Sequence, residues 1–189
     1  MNFRLSLTAV VSLSLLLAGA GVAQAAPPPA TTTFNVTATV PTWCNATATD
    51  LAFGAYNPGS GPIANSSAVT VNCTKGTAFT VALNAGSSPG ATFANRNMTG
   101  TGAADPAGDT APSSALLNYQ LYTTATVGSG GTVWGNGSTG TSTVSGTGNG
   151  MGTPQAITET VYGQIPDSTA NLAAVPGAYS DTVTATVTY

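Results

Sequence analysis

The 189-residue sequence predicts an all-β fold, an antiparallel sandwich or barrel. Short segments in which apolar and polar residues alternate recur along the chain, and turns rich in Gly, Pro, Ser and Asn separate them. No segment after residue 25 shows the spacing of an amphipathic helix. These observations together favour several short strands over any helical or mixed architecture.

The first 25 residues have the organisation of a secretory signal peptide. Arg4 provides a positive start, residues 5–20 are predominantly apolar, and Ala23 and Ala25 are the small residues that signal peptidase requires. An uncleaved anchor is the alternative, but the apolar run is shorter than a spanning helix needs, and no later stretch suits a bilayer. We therefore predict a signal peptide over 1–25, an N-terminal linker and strand over 26–41, and a β-sandwich domain over 42–189.

Alternation predicts the strands in order along the chain. The first covers residues 34–40, where Phe34, Val36, Ala38 and Val40 share one phase and Pro41 ends the pattern. The others are predicted near Cys44, at 51–53, and over 68–74, 78–84, 116–122, 156–165 and 179–189. Long turn-rich loops are predicted over 84–114 and 127–153, with short strands in the second around Val133, Trp134 and Val144.

The last segment has the clearest pattern. Val183, Ala185, Val187 and Tyr189 fall on one phase, and threonines at 182, 184, 186 and 188 fall on the other. This is a strand with one apolar face, and an apolar face must be covered by something.

The content of charged residues is very low. They make up 5% of the sequence, against about 25% in an average soluble protein. Beyond residue 25 there are two cations, Lys75 and Arg96, and six acids, which gives a side-chain net charge of −4, and there is no histidine. Binding to nucleic acid or to an anionic membrane surface needs clustered Lys and Arg, so both function classes are excluded.

The sequence contains two cysteines, Cys44 and Cys73. In an exported chain they predict one disulfide, which would close a loop of about 30 residues and stabilise the fold by about 3–4 kcal/mol. A reactive or metal-binding pair is the alternative, and neither a histidine nor a further cysteine supports it.

The sequence contains no convincing set of catalytic residues. Without histidine there is no ordinary Ser-His-Asp triad, and no G-x-S-x-G motif occurs. We predict no enzyme activity, no cofactor and no metal, because a calcium loop at Asp105 and Asp109 lacks the ligand density that such loops show. Glu159 shares a phase with Val161, and because a lone buried carboxylate is costly we predict a β-bulge near it.

Two alternating strands lie near opposite ends of the chain, at 34–40 and 182–189. A seven-residue strand is about 23 Å long. Burying three or four of its apolar side chains contributes about 5–8 kcal/mol before opposing terms, which is comparable to the whole stability of a small domain. The N-terminal strand can fold back on its own domain, or it can enter a neighbouring subunit and so build a head-to-tail fibre. The residues alone leave both arrangements open.

Several motifs occur in the order typical of one family. "FNVTATV", "LAFGAYNP", "VTVNCTKGTAFTVALNAG", "LNYQLY", "VWGNGSTGT", "VYGQIP" and "GAYSDTVTATVTY" together resemble the spore coat protein U domain family, the subunits of archaic (Csu-type) chaperone–usher pili. The resemblance covers nearly all of residues 34–189 and implies an incomplete immunoglobulin-like antiparallel β-sandwich that a donor strand completes. Gln164 stands where the family often has arginine, and the segment 100–114 is longer than the family leads us to expect.

The resemblance also implies roles for three groups of residues. These are the donor strand (Phe34, Val36, Ala38 and Val40), the edge of the acceptor groove (Val183, Ala185, Val187 and Tyr189) and the disulfide (Cys44 and Cys73).

The function implied is that of a structural subunit of a surface pilus, exported through the periplasm, that serves attachment and biofilm formation. Its implied partners are a periplasmic pilus chaperone, an outer-membrane usher and other pilus subunits, with no nucleic acid. Two alternatives stay open: a secreted spore or cell-coat structural protein and, with less support, a secreted carbohydrate-binding module. The module would use aromatic side chains (Trp43, Trp134, Tyr119, Tyr122, Tyr162 and Tyr179).

Overall fold

The computed structural model describes residues 24–102, 108, 110–112, 115–138 and 140–189. Residues 1–23 of the predicted signal peptide lie outside them, as do Asp105 and Asp109. The described strands are β1 (Cys44–Ala48), β2 (Ile63–Cys73), β3 (Ala78–Leu83), β4 (Arg96–Gly100), β5 (Leu116–Tyr122), β6 (Val144–Thr147), β7 (Ile157–Ile165), β8 (Tyr179–Ser180) and β9 (Ala185–Thr188). One short helix, α1 (Thr169–Leu172), and two 3₁₀ turns, Gly128–Gly130 and Thr153–Gln155, accompany them.

The chain divides into two units, Met1–Ala38 and Thr39–Tyr189. In the described part of the first unit, residues 24–38, every residue is exposed and no helix or strand is present. The strand predicted over 34–40 is therefore not formed in the single chain. A lone strand has no partner for its backbone N–H and C=O groups, so alternation alone does not make it one.

The second unit consists of two antiparallel sheets. A six-stranded sheet has the order β1-β2-β7-β5-β4-β8, and a three-stranded sheet has the order β6-β3-β9. Every pairing between these strands is antiparallel. The predicted all-β antiparallel sandwich is confirmed.

One hydrophobic core lies between the two sheets. Inward residues of both sheets form it, among them Val71, Leu121 and Val161 of the six-stranded sheet and Val81 of the three-stranded sheet. Trp134 is fully buried beside them and donates its indole N–H to the carbonyl of Val81 at 3.0 Å. That bond satisfies the polar atom that a buried tryptophan carries.

The predicted disulfide is confirmed. Cys44 and Cys73 are directly opposite each other in the β1–β2 ladder, with Cα atoms 4.1 Å apart and an S–S bond between them. The bond fixes the first residue of the edge strand β1 to the last residue of β2.

The predicted bulge near Glu159 is wrong. The β2–β7 register is continuous from Ile63 opposite Ile165 to Val71 opposite Ile157, and Glu159 lies opposite Val69. The unbroken strand keeps Glu159 on the inward phase, but the residue stays half-buried. Its carboxylate therefore keeps contact with water, which removes the cost that favoured a bulge.

Three further elements differ from the prediction. β4 lies inside the predicted loop 84–114, and the segment 51–53 forms no strand. The last predicted strand is two pieces: β8 pairs with β4 in the large sheet, whereas β9 pairs with β3 in the small one. The chain thus crosses from one sheet to the other between residues 180 and 185.

Candidate functional site

The site is the outer edge of β9. Thr80 to Leu83 of β3 pair with one edge of β9, and among the described residues no strand pairs with the other edge. Val183, Ala185 and Val187 point inward, as predicted, yet each is only half-buried, and Tyr189 is 53% exposed. The apolar face of the last strand is therefore covered only in part.

The backbone groups at this edge can be assigned from the ladder. Asn84 donates its backbone N–H to the carbonyl of Thr184 at 3.0 Å, which marks positions 84 and 184 as a hydrogen-bonded pair. In an antiparallel ladder such pairs alternate with non-bonded ones, so residues 184, 186 and 188 direct their backbone groups toward β3. The N–H and C=O groups of the residues between them (Val183, Ala185, Val187 and Tyr189) point to the open edge.

A cavity of about 490 Å³ lies beside this edge. Val183 and Ala185 line one side of it, Ala48 of β1 lines another, and Leu121 and Val161 of the large sheet are among its apolar lining. The cavity is thus bordered by apolar side chains of β1, β9 and the large sheet.

A second cavity of about 830 Å³ adjoins the first. The two share four lining residues: Leu51, Phe53, Met98 and Tyr179. The two adjoining cavities are together called the cleft, and inward residues of the large sheet line part of each. Neither Leu51 nor Phe53 was predicted to belong to this site, although both lie in the "LAFGAYNP" motif.

Gly163 of β7 allows Leu51 and Phe53 to approach the large sheet. A β-carbon at residue 163 would lie 2.5 Å from Leu51 Cδ2 and 2.8 Å from Phe53 Cζ. The Phe53 ring also packs against Tyr119, with ring centroids 6.3 Å apart. The absence of a side chain at 163 therefore sets how deep the cleft is.

Asp181 is the polar centre of the site. Its Oδ1 accepts hydrogen bonds from the N–H groups of Ser87 at 2.8 Å, Ser88 at 3.1 Å and Thr182 at 2.8 Å, and from both serine hydroxyls at 2.9 and 3.3 Å. Its Oδ2 accepts from the Tyr119 hydroxyl at 2.6 Å. Burial alone would raise the pKa of Asp181, but these hydrogen bonds outweigh it and lower the pKa below its ordinary value. Burial, with the bond to Asp181, raises the pKa of Tyr119.

Arg96 of β4 is fully buried close to this centre. Its guanidinium donates to the carbonyl of Asn84 at 2.8 Å, to the carbonyl of Trp134 at 2.7 Å and to Oε1 of Gln120 at 2.5 Å. Burial lowers the pKa of Arg96, and the nearby Tyr119 and Asp181 act in the opposite direction. The arginine thus holds the start of the turn that Asp181 binds.

A second carboxylate, Asp167, has a similar set of partners elsewhere. It accepts from the Tyr56 hydroxyl at 2.6 Å and from the N–H groups of Gly59 at 3.1 Å and Gly61 at 3.2 Å. The bond from Tyr56 and the backbone bonds lower the pKa of Asp167. Burial and the bond to Asp167 raise the pKa of Tyr56 to about 12.

The remaining predicted features have simple outcomes. In the part of the chain that the structure describes, no group of three or more Asp, Glu, Cys or His residues is placed to hold a metal ion. Trp134, Tyr119 and Tyr122 are buried, so they cannot stack on a sugar. Among the described residues no helix has the length and apolar character to cross a bilayer. Phe34, Val36, Ala38 and Val40 are exposed.

Comparisons with known proteins agree with this geometry. Residues 30–186 match the model of the Spore Coat Protein U domain. In fold the chain is similar to a chain in the crystal structure of the CsuC–CsuE chaperone–tip adhesion subunit pre-assembly complex from archaic chaperone-usher Csu pili of Acinetobacter baumannii, with a TM-score of 0.51 and 22% identity. The match covers 80% of this chain and 40% of that one. No curated protein matches the sequence.

Proposed function

Because the chain belongs to the Spore Coat Protein U domain family, we propose that it is a structural subunit of a surface pilus that assembles by donor-strand exchange. The observation that carries the proposal is the open edge of β9 beside an apolar cleft. Val183, Ala185 and Val187 there present half-covered side chains, and their backbone groups, with those of Tyr189, point to the open edge. A sheet edge of this kind binds an extended peptide by strand addition.

The donor in this proposal is residues 34–40 of another copy. Phe34 and Val36 are each 84% exposed and Val40 is 82% exposed, so the segment carries apolar side chains that lack cover in the single chain. They alternate with Asn35, Thr37 and Thr39, so an added strand would direct its polar side chains to solvent. The segment contains no charge, so it brings none into the cleft.

The partners and location follow from this mode of assembly. An open apolar cleft is an aggregation hazard until a strand fills it, so a subunit of this kind requires a chaperone that occupies the cleft during export. We infer a periplasmic pilus chaperone, an outer-membrane usher and head-to-tail copies of pilus subunits as partners. The location is the cell surface and the role is attachment and biofilm formation. The structural similarity to a chain of a chaperone–subunit complex supports the chaperone partner.

A deletion and add-back experiment tests the proposal. The acceptor is the chain 41–189, and the probe is a peptide of residues 26–40. We expect the acceptor to be marginally stable alone and to gain a clearly higher Tm with the peptide, because bound ligand stabilises the folded state by mass action. The control peptide has the same composition, with residues 34–40 reordered so that apolar residues no longer alternate with polar ones. A stable acceptor that ignores both peptides would refute strand exchange.

A further inference from the structure

The register of β9 against β3 is weakly specified by the strand itself. Residues 182–188 read T-V-T-A-T-V-T, so a slip of two residues again places small apolar side chains inward and threonines outward. Only four residue pairs join the two strands, from Thr80 opposite Thr188 to Leu83 opposite Ala185. The cleft beside Ala185 leaves room for a larger side chain there. Something outside the repeat must select one register.

Asn84 does not supply this selection. Its backbone N–H binds the carbonyl of Thr184, and its Oδ1 accepts the Thr184 N–H at 2.9 Å. Both are bonds to backbone groups, and Thr182 or Thr186 would offer the same groups after a slip. These bonds hold β9 against β3, but they do not distinguish Thr184 from Thr182 or Thr186.

Asp181, by contrast, is a unique side chain at the point where the chain changes sheets. It follows β8 of the large sheet directly and precedes β9 of the small one. Its carboxylate joins the turn at Ser87 and Ser88, which follows β3, to Tyr119 of β5, so it binds both the β3–β4 connection and the large sheet. Gly86 makes room for it, because a β-carbon there would overlap Asp181 Oδ2.

We propose that Asp181 is the positioning residue of the acceptor edge: its carboxylate fixes the register of β9 and so decides which backbone groups and side chains face an incoming strand. The importance of this register for assembly rests on the proposed function. A shift of two residues would move Tyr189 or Val183 along the cleft. It would also misplace the open edge of β9 relative to the side chains of the large sheet that line the cleft.

Cross-linking of introduced cysteine pairs tests the register in the chain 26–189. Ala82 and Thr186 are an outward, directly opposite pair, so Ala82→Cys with Thr186→Cys reports the native register. Ala82→Cys with Thr184→Cys or with Thr188→Cys reports a slip of two residues in either direction. Peptide mapping by mass spectrometry separates these links from the native Cys44–Cys73 bond.

With Asp181 present, we expect the native pair to link and the slipped pairs to remain unlinked. With Asp181→Ala, the slipped links appear at a level comparable with the native link. The matched control is Asp167→Ala, which removes a carboxylate that also accepts a tyrosine hydroxyl at 2.6 Å and two backbone N–H groups. A loss of stability alone would not create slipped links. The yield of slipped links therefore separates a role in fixing the register from a general contribution to stability.

A second pair of variants covers the case in which Asp181→Ala does not fold. Gly86→Ala places a β-carbon against the Asp181 carboxylate, whereas Gly90→Ala also places a β-carbon at a positive φ (102° at Gly86, 73° at Gly90) but in open space. Slipped links with Gly86→Ala and none with Gly90→Ala are expected. Native links only in Asp181→Ala or Gly86→Ala, or equal slipped links in the controls, would overturn the inference. The cross-links join β3 to β9, so they report this register directly and do not need strand exchange in order to form.

Discussion

Alanine substitutions along residues 34–40 are expected to weaken strand uptake with a period of two. Full burial of a Val or Phe side chain contributes about 1.5–3 kcal/mol, and each methyl group about 0.8 kcal/mol. Phe34, Val36 and Val40 are more than four-fifths exposed in the single chain, so insertion would remove nearly all of each side chain from water. Truncation should therefore cost about 1.6 kcal/mol at Val36 or Val40 and about 2.5 kcal/mol at Phe34.

These free energies translate into measurable affinities. Because 1.4 kcal/mol is a tenfold change in Kd, Val36→Ala and Val40→Ala peptides should bind the acceptor 41–189 about 15-fold more weakly, and Phe34→Ala about 70-fold. Asn35→Ala and Thr37→Ala peptides serve as controls on the outward phase and should change Kd by no more than about twofold. Isothermal titration calorimetry measures each Kd. Equal losses on both phases, or larger losses at Asn35 and Thr37, would refute the assigned phase of the donor strand.

Three other predictions concern the folded domain. Cys44→Ala with Cys73→Ala should lower the free energy of unfolding in urea by about 3–4 kcal/mol, since the bond closes a loop with a sequence separation of 29; an unchanged midpoint would contradict this. Because the pKa values of Asp167 and Asp181 are lowered by folding, their contribution is complete above their unfolded pKa of about 3.9 and is lost as pH falls through the folded values. Urea midpoints should thus stay flat from about pH 7 to pH 5 and fall below about pH 4; a large drop by pH 5 would contradict that sign. Arg96→Ala should cost about 2–4 kcal/mol, since it removes the donor to the carbonyl oxygens of Asn84 and Trp134, and Arg96→Lys should not restore it fully.

Strands with apolar inward residues were predictable from the sequence. Phe79, Val81 and Leu83 of β3, for example, alternate cleanly with polar or small residues. β4 was not predictable in this way, because its inward positions are Arg96, Met98 and Gly100. Burial of an arginine on the inward face is costly unless its guanidinium finds acceptors, and here the acceptors include carbonyl groups from other parts of the chain.

The apolar face of the candidate site was predictable from the sequence, but the contacts that hold it in place were not. Alternation alone identified Val183, Ala185, Val187 and Tyr189 as one face, and the ladder shows that the same residues direct their backbone groups to the open edge. The contacts of Asp181 join residues that are far apart in sequence, so no local pattern reveals them. The role of Asp181 emerges only when the turn after β3 and strand β5 are brought together by the fold.

The position of the disulfide has a mechanical consequence. Residues 26–41 join the domain just before Cys44, and the covalent bond passes from there to Cys73 at the end of β2. Tension applied through the N-terminal segment is therefore transmitted directly into β2, which pairs with β7 over nine residues. The five residues of β1, all of which lie opposite residues of β2, are shielded from that load and cannot be peeled from the edge one by one.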